Sequence, residues 1–277
     1  MQASIAQVAA LTIYGNAYLL RANATAGFYP ENSTFEHCEF VNFIDRVQEQ
    51  TEWIEVPFAS NPLEWFERLR KEGIDTLRMA FGRSGQTQTA DRMLVGFVGG
   101  GGRWLIEAQS SGLSDFWEGR WQLGDRSRPD RRIWRITYAR IAKRQPQLQP
   151  QGLENLPGLS HELDRQLAEI EEFARSQKLE NFANLFQSAR SRLHSDPPYP
   201  DQYHSDLTRT EFLPRVACQL LAACQDAWVF GGMGSWNDQG FDAITQPRYE
   251  ALSEGLYQLL NRAIVVAANS SSYGTLT

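Results

Sequence analysis

The sequence predicts an α+β protein, with a mostly antiparallel sheet and one helix in the N-terminal half, packed against a C-terminal helical subdomain. Up to residue 145, short segments rich in aromatic and β-branched residues alternate with turn-forming residues. From residue 161 onward, apolar residues recur with the period of a helix. A stretch rich in Gln and Pro separates the two patterns. We therefore expect the first half to be rich in strands and the second half to be helical.

The change of pattern defines the predicted domain boundaries. We expect a sheet-containing subdomain over 1–145, a linker over 146–160, a helical subdomain over 161–268 and a flexible tail over 269–277. A chain of 277 residues is longer than a typical single domain, which favours one large domain or two subdomains.

Six or seven strands and one helix are predicted in the first half. The dipeptide Asn61-Pro62 predicts the start of that helix, because proline suits the first helical position. Short loops between consecutive strands favour antiparallel pairing. The predicted strands cover 11–20, 36–44, 52–58, 93–98, 103–108, 115–123 and 132–141.

Apolar stripes predict the helices of the second half. One stripe contains Leu163, Leu167 and Ile170, and a second follows a break near Ser176. A strongly apolar helix is expected from Leu213, and a final one from Pro247. The second stripe comprises Leu179, Phe182, Phe186, Ala189 and Leu193.

Composition and cysteine usage predict a soluble, cytoplasmic protein. The three cysteines are too few and too scattered for a disulfide framework, which indicates reduced thiols. The N-terminus lacks the basic segment of a signal peptide, and the absence of a long apolar run argues against a membrane-spanning helix. No motif assigns a cofactor, and the sequence leaves open whether the chain is an enzyme.

Positive charge is concentrated in one segment of an acidic chain. The net charge is −6, yet the stretch from Arg120 to Arg144 has nine basic and two acidic residues, a net of +7. Aromatic residues are interleaved with these arginines. Alternation along the strand predicts that one face contains Arg132, Trp134, Tyr138 and Arg140, and we expect these four residues to bind a partner.

Three interpretations of this segment remain open at the sequence level. Its charge could be neutralised within the fold by the acidic segments 31–75 and 154–180, or it could bind an acidic protein or a nucleic acid. The first functional hypothesis is therefore a soluble binding or accessory protein that engages an acidic protein or another anionic partner.

The second functional hypothesis is a small-molecule enzyme or ligand-binding protein with a pocket at the glycine-rich turn 231–240. Its glycines allow a close backbone approach, and Trp236, Asn237 and Asp238 supply a flat ring and hydrogen-bonding groups. The alternative is that Trp236 belongs to the core while Asn237 or Asp238 caps the local structure.

Catalytic residues are not identified by any motif, but His37, Glu39 and Asp238 are candidates for acid/base chemistry. On a strand, His37 and Glu39 would share one face, whereas Cys38 would face away. That placement argues against Cys38 and His37 acting as a nucleophile and its general base.

Two repeated His-Ser-Asp triplets are candidates for a metal site. His194, Asp196, His204 and Asp206 offer nitrogen and oxygen ligands suited to zinc, iron or manganese. Serine and aspartate beside a helix are also ordinary caps, and intervening prolines could keep the two triplets apart, so no metal is assigned.

Overall fold

The computed structural model describes residues 1–21, 25, 27–49, 52–83, 89–97, 100–148 and 155–273. The chain forms two compact units. The helical unit comprises Met1–Gln2, Phe81–Arg103 and Gln151–Ser270. The sheet unit comprises Ala3–Ala80, Trp104–Pro150 and Ser271–Thr277. Each unit is therefore assembled from separate stretches of the chain.

A six-stranded sheet confirms the predicted α+β class. The strand order is β2-β1-β6-β5-β4-β3. The pairs β1–β2, β4–β5 and β5–β6 are antiparallel, whereas β1 and β6 are parallel. The strands are β1 (Cys38–Glu49), β2 (Glu52–Ala59), β3 (Thr76–Gly82), β4 (Arg103–Ser110), β5 (Leu113–Leu123) and β6 (Trp134–Pro146).

Aromatic rings form the core of the sheet unit. Trp65 of helix α2 (Pro62–Lys71) stacks on Phe43 of β1, with ring centroids 4.5 Å apart. Phe43 also stacks on Tyr138 at 5.3 Å. Helix α2 begins as predicted, since Pro62 occupies its first turn and the Asn61 side chain accepts a hydrogen bond from the Glu64 amide. The helix thus covers the inward face of the neighbouring strands.

The prediction of a strand over 11–20 is wrong, because helix α1 (Ala3–Leu20) contains these residues. Its Asn16 side chain donates to the Leu77 carbonyl at 2.9 Å and accepts from the Leu77 amide at 2.7 Å. These bonds satisfy the backbone amide and carbonyl of Leu77 in strand β3, a constraint that local sequence does not reveal. Among the described helices, α1 alone is long and apolar enough to cross a membrane, and 72% of it is buried in the protein.

Close packing at Gly15 of α1 predicts the effect of a Gly15→Ala substitution. A Cβ atom there would lie 2.3 Å from Leu77 Cδ1 and 2.8 Å from Phe66 Cε1. We expect a loss of about 1–3 kcal/mol in the free energy of unfolding, measured by urea titration. Gly255→Ala is the matched control, because its Cβ would meet only the flexible Gln166 side chain at 3.3 Å or more. Equal effects of the two substitutions would contradict this explanation.

The prediction of a strand over 93–98 is also wrong within the described residues. Helix α3 (Asp91–Leu94) occupies the start of this segment, and Val98 lies outside the described residues. The Arg92 side chain is 3% exposed and is paired with Glu250 and Glu254. These long-range ion pairs hold the segment in place. The prediction of a strand rested only on local β propensity, which does not include such contacts.

Four long helices form the helical unit, and the predicted stripes lie on their buried faces. They are α4 (Leu156–Ser176), α5 (Glu180–His194), α6 (Arg215–Ala227) and α7 (Gln246–Asn269). Helices α4 and α6 each pack against both α5 and α7. Leu163, Leu167 and Ile170 are fully buried. The arrangement is that of a four-helix bundle.

The predicted linker and tail are described only in part. Strand β6 continues to Pro146 and α4 begins at Leu156, while 149–154 lie outside the described residues. In the predicted tail, Asn269 is the last residue of α7, and a 3-10 turn follows over Ser270–Tyr273, in which Ser270 and Ser271 are buried. These two serines are therefore packed rather than flexible, and 274–277 lie outside the described residues.

Candidate functional site

The cationic segment forms a hairpin whose connecting loop is held by its own acidic residues. The loop between β5 and β6 is closed by the Gly124 amide, which donates to the Ile133 carbonyl at 2.7 Å. Asp125 accepts hydrogen bonds from the amide and hydroxyl of Ser127. Asp130 accepts from the Arg132 amide at 3.1 Å. Both acids thereby order the loop backbone.

Several arginines of the hairpin are neutralised by carboxylates of the same unit. Arg120 pairs with Glu55 at 2.5 Å, and Arg135 pairs with Glu39 at 2.7 Å. Arg128 binds Asp130 at 2.8 Å, and this bond lowers the pKa of Asp130 to about 2. The predicted internal neutralisation therefore occurs in part, and the acidic segment 31–75 supplies some of the partners.

Three exposed arginines of the loop have no such partner. Within the described part of the chain, no carboxylate lies within 4 Å of the guanidinium groups of Arg126, Arg131 or Arg132. Arg131 also has a positive φ of 56°, which is uncommon for a residue other than glycine. The loop thus presents three exposed arginines whose guanidinium groups form no ion pair among the described residues, although Asp125 and Asp130 belong to the same loop.

Two tryptophans lie at the base of the same loop. The rings of Trp121 and Trp134 meet edge to face with centroids 5.8 Å apart, and both side chains are half-buried. The Trp134 amide donates to the His37 carbonyl at 3.0 Å, which ties the base of the loop to the start of β1. The ring contact and this hydrogen bond thus connect the base of the β5–β6 loop to the sheet.

Two of the four predicted partner-binding residues are buried, which corrects the expectation of a single exposed face. Tyr138 has no accessible surface, and its hydroxyl donates to Gln7 Oε1 at 3.0 Å. Burial raises the pKa of Tyr138 well above its usual value. Arg140 is 5% exposed. Of the predicted set, Arg132 is exposed and Trp134 half-buried.

Arg140 is the centre of a buried ion cluster. Its guanidinium lies 2.9 Å from Asp115, 3.0 Å from Glu72 and 3.6 Å from Asp45. It also lies 4.4 Å from the centre of the Phe58 ring. Desolvated charges require such partners, so the cluster stabilises Arg140 inside the unit.

The partners of Arg140 were not predicted, although one signal was present in the sequence. Asp45 shares the inward face of β1 with Val41 and Phe43, both of which are fully buried. A carboxylate on an otherwise apolar face requires a buried cation. The parallel register pairs Phe43 with Tyr138, which brings Asp45 to the level of Arg140.

Trp236 of the glycine-rich turn lies in the core of the helical unit. It has no accessible surface, and its ring meets Phe182 at 5.1 Å and Phe186 at 5.3 Å. Its Nε1 donates to Ser253 Oγ at 2.8 Å. This is the core arrangement that the sequence left open as the alternative to a ligand pocket.

The other two predicted ligand-binding residues of this turn form local contacts. The Asp238 carboxylate accepts hydrogen bonds from the Gly234 and Ser235 amides as part of a capping box. The Asn237 side chain donates to the Arg92 carbonyl at 2.7 Å and accepts from the Arg92 guanidinium at 3.2 Å. Both side chains therefore hold the backbone of the turn and of α3.

His37 and Glu39 do not form an acid/base pair on one strand face. His37 lies in the turn before β1, which begins at Cys38, and is exposed. Hydrogen bonding to Arg135 lowers the pKa of Glu39. A carboxylate held in this way is a poor proton acceptor near neutral pH.

The two His-Ser-Asp triplets are engaged with different partners. His194 lies 3.5 Å from Asp164, and Asp196 pairs with Arg215. His204 is buried and its amide donates to Gln225 Oε1. In the described part of the chain, no group of three or more His, Cys, Asp or Glu residues is positioned to hold a metal ion.

All three cysteines are unpaired and buried. Burial raises the pKa of Cys38 to about 11 and the pKa values of Cys218 and Cys224 to about 12. Such thiols stay protonated near neutral pH, so they are poor nucleophiles.

Comparison with known proteins adds no functional assignment. The chain matches no family model, and no curated protein or solved structure is significantly similar to it.

Proposed function

We propose that this chain is a cytoplasmic binding or accessory protein that engages an acidic segment of a partner protein through the β5–β6 loop. The observation that carries the proposal is the set of three exposed arginines, Arg126, Arg131 and Arg132, whose guanidinium groups form no ion pair among the described residues. Planar guanidinium groups bind carboxylates with two parallel hydrogen bonds, which favours arginine at such a surface.

An acidic protein fits this loop better than a nucleic acid. The edge-to-face contact of Trp121 with Trp134, together with their partial burial, limits the ring faces on which bases would stack. The net charge of −6 also opposes the approach of a long polyanion, whereas a short acidic segment meets mainly the local positive field. Three buried, unpaired thiols suit a reducing compartment such as the cytoplasm.

Charge reversal in the loop tests the proposal. The Arg126→Glu/Arg132→Glu double variant is expected to bind a fluorescein-labelled polyglutamate peptide at least about tenfold more weakly, because two attractive contacts become repulsive. Fluorescence anisotropy at several salt concentrations measures this affinity. The parent protein should lose affinity as salt rises, since these charges are exposed.

A matched control separates a local effect from a change in net charge. Arg21→Glu/Arg165→Glu reverses the same number of charges at exposed positions outside the loop and should bind like the parent protein. Equal weakening by both double variants would contradict a specific site. Tighter binding of single-stranded oligothymidylate than of polyglutamate would show that a nucleic acid is the preferred partner.

A further inference from the structure

Three large apolar side chains of the helical unit extend into water from two neighbouring segments. Met93 is 38% exposed, Phe97 is 69% exposed and Met233 is fully exposed. Met93 belongs to helix α3, Phe97 follows that helix, and Met233 lies in the glycine-rich turn 231–240. Exposed apolar side chains that lie together mark a surface that binds another molecule.

Direct backbone contact holds the two segments together. A Cβ atom added to Gly96 would lie 2.8 Å from the Gly231 carbonyl oxygen and 3.0 Å from the Gly232 Cα atom, so only glycine permits this approach. Phe97 and Met233 each follow one of these glycines in the chain. Their Cα atoms are therefore within about 12 Å of each other, since consecutive Cα atoms are 3.8 Å apart. The two exposed side chains thus belong to one apolar surface.

An unpaired carboxylate borders this apolar surface. The Oδ2 atom of Asp238 accepts hydrogen bonds from the Gly234 and Ser235 amides, which places its charge beside Met233. Asp238 is exposed, and no basic nitrogen of the described residues lies within 4 Å of its carboxylate. Residues 231–254 contain four carboxylates and one arginine, a local net charge of −3. The surface therefore favours a cationic partner.

The local backbone favours a helical partner over an extended one. Residues 91–97 and 231–238 contain no strand, so an extended peptide would find no sheet edge with which to share hydrogen bonds. A helix satisfies its own backbone groups and presents apolar side chains along one face. Two turns of a helix span about 11 Å, which is comparable to the separation of Phe97 and Met233. Methionine side chains also adapt to apolar partners of different shape.

We propose that this apolar surface binds an amphipathic helix of a partner protein whose polar face is rich in lysine and arginine. The apolar side chains of that helix cover Met93, Phe97 and Met233, and a basic side chain beside them pairs with Asp238. The surface belongs to the helical unit, whereas the β5–β6 loop belongs to the sheet unit. The two surfaces differ in charge, so they can be tested separately.

Fluorescence anisotropy of the full chain with three labelled peptides tests the proposal. KLLKKLLKKLLK forms a basic amphipathic helix, KSSKKSSKKSSK has the same charge without the apolar face, and QLLQQLLQQLLQ has the apolar face without the charge. A neutral peptide is used because an acidic one would also engage the arginines of the β5–β6 loop. We expect the first peptide to bind at least about tenfold more tightly than either control, since it alone provides both contacts. Equal binding of the first peptide and one control would overturn the proposal.

The Phe97→Ser/Met233→Ser double variant removes the apolar contact and leaves the core intact, because both side chains are exposed. It should bind KLLKKLLKKLLK at least about tenfold more weakly, and KSSKKSSKKSSK as the parent protein does. Leu148→Ser/Leu185→Ser is the matched control, since these side chains are 48% and 42% exposed and lie outside the two segments. Unchanged binding by the first double variant, or equal weakening by the control, would overturn the proposal.

Asp238→Asn tests the charge contact. Asparagine retains an oxygen that can accept the Gly234 and Ser235 amides, so the turn keeps these bonds while the charge is lost. We expect KLLKKLLKKLLK to bind about threefold more weakly and with less dependence on salt. Glu169→Gln changes an exposed carboxylate of α4 and should leave the affinity unchanged. Equal effects of the two substitutions would contradict a role for Asp238.

Sedimentation of the full chain without peptide separates a partner's helix from a second copy of this chain. We expect a monomer, because the surface awaits a different protein. A dimer that dissociates in the Phe97→Ser/Met233→Ser variant would show that a second copy covers the surface, and it would overturn the proposal.

Discussion

Replacing Arg140 with methionine is expected to lower the free energy of unfolding by about 3–5 kcal/mol. Methionine retains much of the side-chain volume but removes the charge that compensates Asp45, Glu72 and Asp115. Asp45 and Asp115 are each only 8% exposed, so water cannot replace the lost partner. Urea titration of the full chain, followed by tryptophan fluorescence, measures the loss.

Arg135→Met on the same strand is the control for this prediction. Arg135 is also paired with a carboxylate, but its side chain is 46% exposed, and water solvates both partners when the pair is broken. We expect a much smaller shift of the unfolding midpoint. Equal shifts in the two variants would show that burial of the ion cluster does not determine how much it contributes to the free energy of unfolding.

A Trp236→Ala substitution is expected to cost about 3–5 kcal/mol, because it leaves a large cavity in the helical unit. The indole has no accessible surface, packs against Phe182 and Phe186, and donates a hydrogen bond to Ser253. Chemical denaturation monitored by circular dichroism at the helix band measures the effect.

Trp53→Ala is the corresponding control, since that side chain is 60% exposed and its removal creates no cavity. We expect its unfolding midpoint to stay close to that of the parent protein. If Trp236→Ala instead kept the parent stability and lost the binding of a small molecule, the turn at 231–240 would be a ligand site and not part of the core.

Periodicity predicted the helical half well because its helices bury one continuous face. Each predicted stripe depends on residues three or four positions apart, such as Leu163 and Leu167, and these lie on the same side of a helix whatever the tertiary context. The start of α2 was also predictable, since Asn61 and Pro62 act through local geometry. Short-range information was sufficient in these cases.

The elements that were missed depend on distant residues. Helix α1 is buried on nearly all sides, so it has no amphipathic period, and its aromatic and β-branched residues suggested a strand. Strand β3 was not predicted as a strand. Its place in the sheet involves Asn16, which is 61 positions earlier in the chain.

In the candidate site, too, the sequence predicted what depends on local composition and missed what depends on distant residues. Composition revealed the cationic segment, but it could not separate exposed arginines from buried ones. Arg140 lies on β6, where strand register brings Asp45 and Asp115 to its guanidinium. Arg132 lies in the loop before β6, and its guanidinium forms no ion pair among the described residues. Register is set by the whole sheet, so a linear count of charges predicts the region and not the individual contacts.

The interleaving of the two units along the chain limits how the protein can be divided. A fragment that ends at residue 150 would contain the sheet unit except for Ser271–Thr277, but it would also carry Phe81–Arg103 without the helices that complete their unit. The complementary fragment would lack Arg92, the partner of Glu250 and Glu254. Co-expression of the two pieces, rather than isolation of either, is the appropriate route for studying the halves of this chain.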